Sequence, residues 1–251
     1  QQTITIPDHP TRSNFVKSVS LKGSPNLKTS WSNMNIAVLQ YTGPTQSTLT
    51  PFIDCRGSTR DKWFIGTIQA LHFTGSSSSN NIAGLWFCHC VQNIFENIFL
   101  YGFTCGMKLD GDYYYSVFNN IRYMGCRHGF SANGIANKSV FNYCKFNSCD
   151  IGFIGNINHG ADHGVQFNDC YFEGNRICIE YNLFESLCIH QCYFEANSEH
   201  EIYIHNTGNK SLLTLEKSFF LHRFNETHNS VIKQDTQSNR TIVYVINNNY
   251  F

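Results

Sequence analysis

The sequence predicts an all-β fold, a single-stranded parallel β-helix with coils of about 22 to 26 residues, and three observations lead there. An octet is written nearly twice, as "NDCYFEGN" at 168–175 and as "HQCYFEAN" at 190–197. A six-residue frame whose first, fourth and sixth residues are apolar or small carries that likeness along the chain: "IQALHF" (68), "FENIFL" (95), "FNNIRY" (118), "FNYCKF" (141), "FNDCYF" (167), "IHQCYF" (189), "LEKSFF" (215) and "INNNYF" (246). Successive starts follow at roughly the length of one solenoid coil, with longer steps where a turn carries an insertion. The chain also holds 28 Asn and 18 Gly beside 21 Phe and 13 Tyr, a mixture that suits short strands joined by tight turns.

Each element follows from that frame. Residues 1–64 hold irregular coils suggested by "VKSVSL" (16) and "IAVLQY" (36), and regular coils run from 65 to 251. "TGSSSSNN" (74) is an insertion, with 76–81 an exposed polar loop by composition. A second strand follows each of the middle frames: "GMKL" (106), "GFSA" (129), "GFIG" (152), "CIEY" (178) and, after a small slip, "IYIH" (202). Strand, turn and strand in so short a unit, with no helical period and no regular leucines, make one coil of a β-helix and not a leucine-rich repeat. Equivalent residues of successive coils then lie roughly 4.8 Å apart, so columns of the alignment become ladders. The first column, from Ile68 to Ile246, and the sixth, from Phe73 to Phe251, should point inward. The fourth, Leu71, Ile98, Ile121, Cys144, Cys170, Cys192, Ser218 and Asn249, is a turn ladder in which cysteine is a small filler. Cys126, Cys149, Asn175 and Asn197 should stack at the next turn.

Composition narrows function. With 41% apolar residues the chain can bury a core, while zero net charge, 14% charged residues and no Lys/Arg block argue against nucleic acid as a partner. No long apolar run predicts membrane insertion. Eleven cysteines, an odd number without paired C-x-x-C motifs, read as reduced, packed thiols and not as a zinc site or disulfide framework. Neither a P-loop, nor G-x-S-x-G, nor H-E-x-x-H is present, and no cofactor and no metal is expected. The opening "QQTITIPDHP" reads like the interior of a longer protein.

Chemistry is sought in the outward columns. The fifth reads Phe99, Arg122, Lys145, Tyr171, Tyr193, Phe219 and Tyr250, facing outward between inward fourth and sixth positions. Tyr171, Tyr193 and Phe219 form an aromatic row suited either to sugar rings or to a subunit contact. The next outward column holds Asn147, Glu173, Glu195 and Leu221, which sets two glutamates one above the other. Like charges so placed cost on the order of 0.2–1 kcal/mol, and their proximity should raise one acid constant, giving one protonated and one ionised carboxyl. A glycosidase divides labour in that way, with carboxyls about 5–5.5 Å apart for retention or about 6.5–9.5 Å for inversion. Asp169, on the same coil, is the third catalytic candidate. The competing reading is that coil repetition alone copied "CYFE" and both glutamates are solvated or bonded to neighbouring loops. Arg122, Lys145 and Tyr171 in one column keep elimination of a uronate open, with a base beside a charge-neutralising cation. Asp110 and Asp112 are expected as turn formers, Glu180 and Glu185 as solvated, and His159, Asp162 and His163 in "NHGADHG" as a weak metal motif.

The frame "FN-x-C/I-x-F" with the "GN…GI/GF" that follows, and "LDGDYYYSVFNNIR" before it, resembles the right-handed parallel β-helix of the pectate-lyase-like superfamily, particularly bacteriophage tailspikes and capsule depolymerases. The likeness covers residues 65–251 well and the first 64 loosely. It implies a right-handed solenoid, a homotrimer, an extracellular place on the virion tail, and an acidic or branched bacterial capsular or O-antigen polysaccharide as partner, bound and cleaved. The same fold also serves as a non-catalytic glycan-binding or structural shaft.

Overall fold

The computed structural model describes residues 4–5, 20–22, 38–57, 62–155, 163–183, 186–207, 211–221, 230–235 and 242–247. Among them the chain is strand and turn, without helix. All strand pairs are parallel and join residues one coil apart, so the fold is a parallel β-helix. One wall is a nine-stranded sheet running from Ile4–Thr5 through Thr50–Asp54, Ile82–Phe87, Cys105–Leu109, His128–Ala132, Ile151–Gly155, Ile177–Leu183 and His200–Thr207 to Ser230–Gln234. An eighteen-stranded sheet forms the remaining walls and bends at a corner in every coil. One of its strips carries the first column of the frame, in register Ile68, Phe95, Phe118, Phe141, Phe167, Ile189 and Leu215. The other carries the sixth, Phe73, Leu100, Tyr123, Phe146, Phe172, Phe194 and Phe220.

Both columns are buried at these positions. Their rings stack along the solenoid at the coil spacing: 4.9 Å for Phe95–Phe118, 4.3 Å for Phe118–Phe141 and 5.0 Å for Phe141–Phe167. In the second column Tyr123, Phe146, Phe172, Phe194 and Phe220 follow at 4.8 to 4.9 Å. Burying each ring stabilises by roughly 1.5–3 kcal/mol, and parallel contact adds about 0.5–1.5 kcal/mol per pair. Ile246 departs from the expectation. It pairs with Leu215 yet is 53% exposed. Asn249, Tyr250 and Phe251 lie outside the described residues.

The corner between the two strips is made by one left-handed residue per coil, with φ of 49° to 55° at Asn97, Asn120, Tyr143, Asp169, Gln191 and Lys217. Asn and Asp adopt this conformation at lowest cost, which explains part of the Asn excess. Beside it the small column is buried, and Cys144 and Cys170 point Sγ at the carbonyls of Phe118 and Phe141, at 3.2 and 3.3 Å. All eleven cysteines are free thiols. At the following corner Cys126, Cys149, Asn175 and Asn197 stack as the sequence suggests, the Asn175 amide bonding the Phe146 carbonyl at 2.8 Å and that of Asn197 the Phe172 carbonyl at 3.1 Å.

The nine-stranded sheet contributes Met107, Phe130, Phe153, Ile179 and Ile202 to the core, in register. The residue before each also faces inward: Gly106, Gly129, Gly152, Cys178 and Glu201. At the glycines a Cβ would lie 2.5 to 2.7 Å from a carbonyl oxygen of the next coil, so no side chain fits. The slip expected before "IYIH" is one residue: Phe172 pairs with Phe194, 22 residues on, but Ile179 pairs with Ile202, 23 residues on, so Glu201 and not Ile202 takes the place of the glycine.

Candidate functional site

The outward columns of the bent sheet lie as the frame requires. Arg122 pairs with Lys145, Lys145 with Tyr171, Tyr171 with Tyr193 and Tyr193 with Phe219. Tyr171 and Tyr193 are parallel at 4.9 Å, and Tyr193 and Phe219 at 5.2 Å. The two cations lean away from each other. The Arg122 guanidinium lies 5.8 Å from the Phe99 ring centre and the Lys145 ammonium 5.9 Å from that of Tyr171. All five are partly buried. Rings stacked in this way cover one another's faces and leave edges and hydroxyls for a ligand, which favours hydrogen bonding over face-on stacking of a sugar on Tyr171 or Tyr193.

Glu173 and Glu195 are register partners in adjacent coils and both are partly exposed. Each carboxyl receives one side-chain hydrogen bond. Asn147 Nδ2 donates to Glu173 Oε2 at 2.7 Å, and the Tyr171 hydroxyl donates to Glu195 Oε2. Tyr171 holds its proton strongly, its acid constant pushed up first by burial, then by the bond to Glu195 and the nearby Glu173 charge. The hydroxyl is therefore a fixed donor and Glu195 a fixed acceptor. Asp169 does not join the pair. It is the left-handed corner residue of its coil, exposed, and its side chain makes no hydrogen bond among the described residues. The turn accounts for an aspartate there without chemistry.

Other residues fall in places the sequence does not show. Asp112 is a turn former as expected, accepting from Ile135 N at 2.9 Å and from the Tyr114 hydroxyl at 2.9 Å. Asp110 is more than a turn residue. It accepts Trp86 Nε1 at 2.6 Å and pairs with Lys108 at 3.1 Å, while Arg56 lies 4.0 Å over the Trp86 ring and forks onto Asp54 at 2.9 and 2.8 Å. Glu180 is not simply solvated: His205 bonds it through Nε2 at 2.5 Å and Asp235 through Nδ1 at 3.1 Å. Two carboxylates on one imidazole require both ring nitrogens to carry protons, and the acid constant of His205 is raised, chiefly by Glu180. Each cluster joins residues about one coil apart on the nine-stranded sheet, so the only sequence signal is outward alternation there. His159, Asp162 and Glu185 lie outside the described residues, as does the side chain of His163. Among the described residues no cluster of His, Cys, Asp or Glu is arranged to hold a metal ion.

Comparison with known protein families, with curated proteins and with solved structures found no match.

Proposed function

We propose that this β-helix binds an extended bacterial surface polysaccharide along the outward face carrying Tyr171, Tyr193 and Phe219, and hydrolyses it between Glu173 and Glu195. The observation that carries the reading is the in-register pair of partly exposed glutamates, each held by one neighbouring donor on that face. Glu195, which accepts the Tyr171 hydroxyl, is the carboxylate that activates water or attacks the anomeric carbon. Glu173, whose amide partner bonds a carboxyl oxygen in either protonation state, delivers its proton to the departing glycosidic oxygen. Arg122 and Lys145 lie in the preceding coils of the same face and attract acidic sugar residues. The resemblance to tailspike depolymerases extends the proposal to a homotrimer on a virion tail, outside the cell.

The test is incubation of purified protein with a panel of bacterial capsular and O-antigen polysaccharides, reading reducing ends and, for elimination, the ultraviolet absorbance of an unsaturated product. Glu173→Gln and Glu195→Gln should each lower release by at least about a hundredfold with the fold retained. Full release by both variants would remove the pair from the mechanism.

A second reading rests on Tyr101 and Leu221, which stand in the glutamate column on either side of the pair and are 44% and 39% exposed. Exposed apolar side chains beside mutually covered rings suit a subunit contact, and the protein would then be a non-catalytic shaft. Glycan binding by calorimetry with no product from any polysaccharide, together with a trimer dissociated by Tyr193→Ala, would select it.

A further inference from the structure

A cleft of about 320 Å³ opens at the corner just past the glutamate column. Its floor is the turn that follows Met124 and Asn147, and Asn147 is the residue whose amide holds Glu173. One wall is the inserted serine loop, folded on itself by Ser77 Oγ to Ser79 at 2.9 Å and Asn80 Nδ2 to Ser76 Oγ at 2.8 Å. Three side chains lining the cleft, Arg127, Ser78 and Ser148, make no side-chain hydrogen bond or ion pair among the described residues.

We infer that this corner cleft is an anion site, in which Arg127, with the hydroxyls of Ser78 and Ser148, takes a carboxylate or sulfate group carried by the glycan. A guanidinium without a carboxylate partner, beside hydroxyls that can donate, is chemistry that an oxyanion completes. The acid in the cleft, Asp150, is already engaged: Arg176 Nε bonds its Oδ1 at 2.6 Å. Arg127 is the cationic side chain in the lining of the cleft. The identity of the ligand as a glycan rests on the function proposed above, whereas the anion site itself does not depend on cleavage.

The full protein is titrated separately with sodium sulfate, with an oligogalacturonate and with a neutral maltooligosaccharide, following the Arg127 Nε–H resonance by NMR and heats by calorimetry. Sulfate or the oligogalacturonate should move that resonance saturably, and the neutral sugar should not. A response to oligogalacturonate alone assigns the site to sugar carboxylates, and one to sulfate alone assigns it to sulfate-type esters. Arg127→Gln, an exposed substitution that leaves the melting temperature unchanged, should weaken anion binding roughly tenfold to a hundredfold. Glu173→Gln should leave it intact, so failure of the hydrolytic reading and failure of the anion site give different results. No saturable shift with either anion, or equal binding by Arg127→Gln, overturns the inference.

Discussion

Between Cys105 and Gly155 the interior is filled by apolar side chains, glycine, thiols and hydroxyls, whereas between Ile177 and Gln234 it also holds a buried imidazole, His200, and a buried carboxyl, Glu201. In the first stretch the inward position before the core residue is Gly106, Gly129 and Gly152, and coils approach until no Cβ fits. In the second the same position is Cys178 and then Glu201, which is fully buried and accepts Cys178 Sγ at 2.8 Å and Asn197 Nδ2 at 2.8 Å. Outside that wall the later coils are tied by Glu180, His205 and Asp235. One architecture thus tolerates two ways of filling a column, close backbone contact or a hydrogen-bonded acid, and the second makes part of the solenoid sensitive to protons.

The largest test of that contrast is pH. Burial raises the acid constant of Glu201 from 4.5 to about 7, opposed by its bonds from Cys178 and Asn197. An acid held higher in the folded than in the unfolded chain contributes stability that is complete below pH 4.5 and is lost as pH rises to about 7. The loss is about 3 kcal/mol. His205, also raised, acts in the same direction, its contribution present below pH 6.5 and lost above its folded value. Urea midpoints should fall across this range, and amides of 200–207 should lose hydrogen-exchange protection while those of 128–132 keep it. Glu201→Gln should flatten most of the slope; an unchanged slope would place the proton sensitivity elsewhere.

The converse substitution probes the glycine stretch. Gly129→Ala sets a methyl group 2.5 Å from the Gly152 carbonyl, between Tyr123 and Phe146, and should cost about 2 kcal/mol in urea unfolding. A neutral outcome would mean that the coils can separate there. The smallest effect is a gain. The Tyr123 hydroxyl is buried among thiols and rings with no hydrogen-bond partner, so Tyr123→Phe should stabilise the protein by roughly 1 kcal/mol, read as a higher melting temperature.

How much of this the sequence discloses depends on whether a residue acts within its own frame. The stacked phenylalanines, the thiol column, Asn175 above Asn197 and the placement of Glu173 over Glu195 follow from the coil-length period and strand alternation. What single coils do not encode is the partner across the gap. Asn147 reaching Glu173, Tyr171 reaching Glu195 and His205 bridging Glu180 to Asp235 each need the register and a rotamer. Glu201 is hidden for another reason: one extra residue precedes the strand "EIYIH", and only strand pairing shows that Glu201, not Ile202, falls where glycine is expected. Asp169 is the converse case, a carboxylate near the candidate site whose left-handed backbone angle already gives it a place at the turn.

The thiol column has a use beyond packing. Cys144, Cys170 and Cys192 supply one sulfhydryl per coil, at 0–1% exposure, in three consecutive turns. A brief pulse of maleimide followed by mass spectrometry would date the opening of each coil separately, so the protein carries its own evenly spaced clock for the order in which its coils come apart.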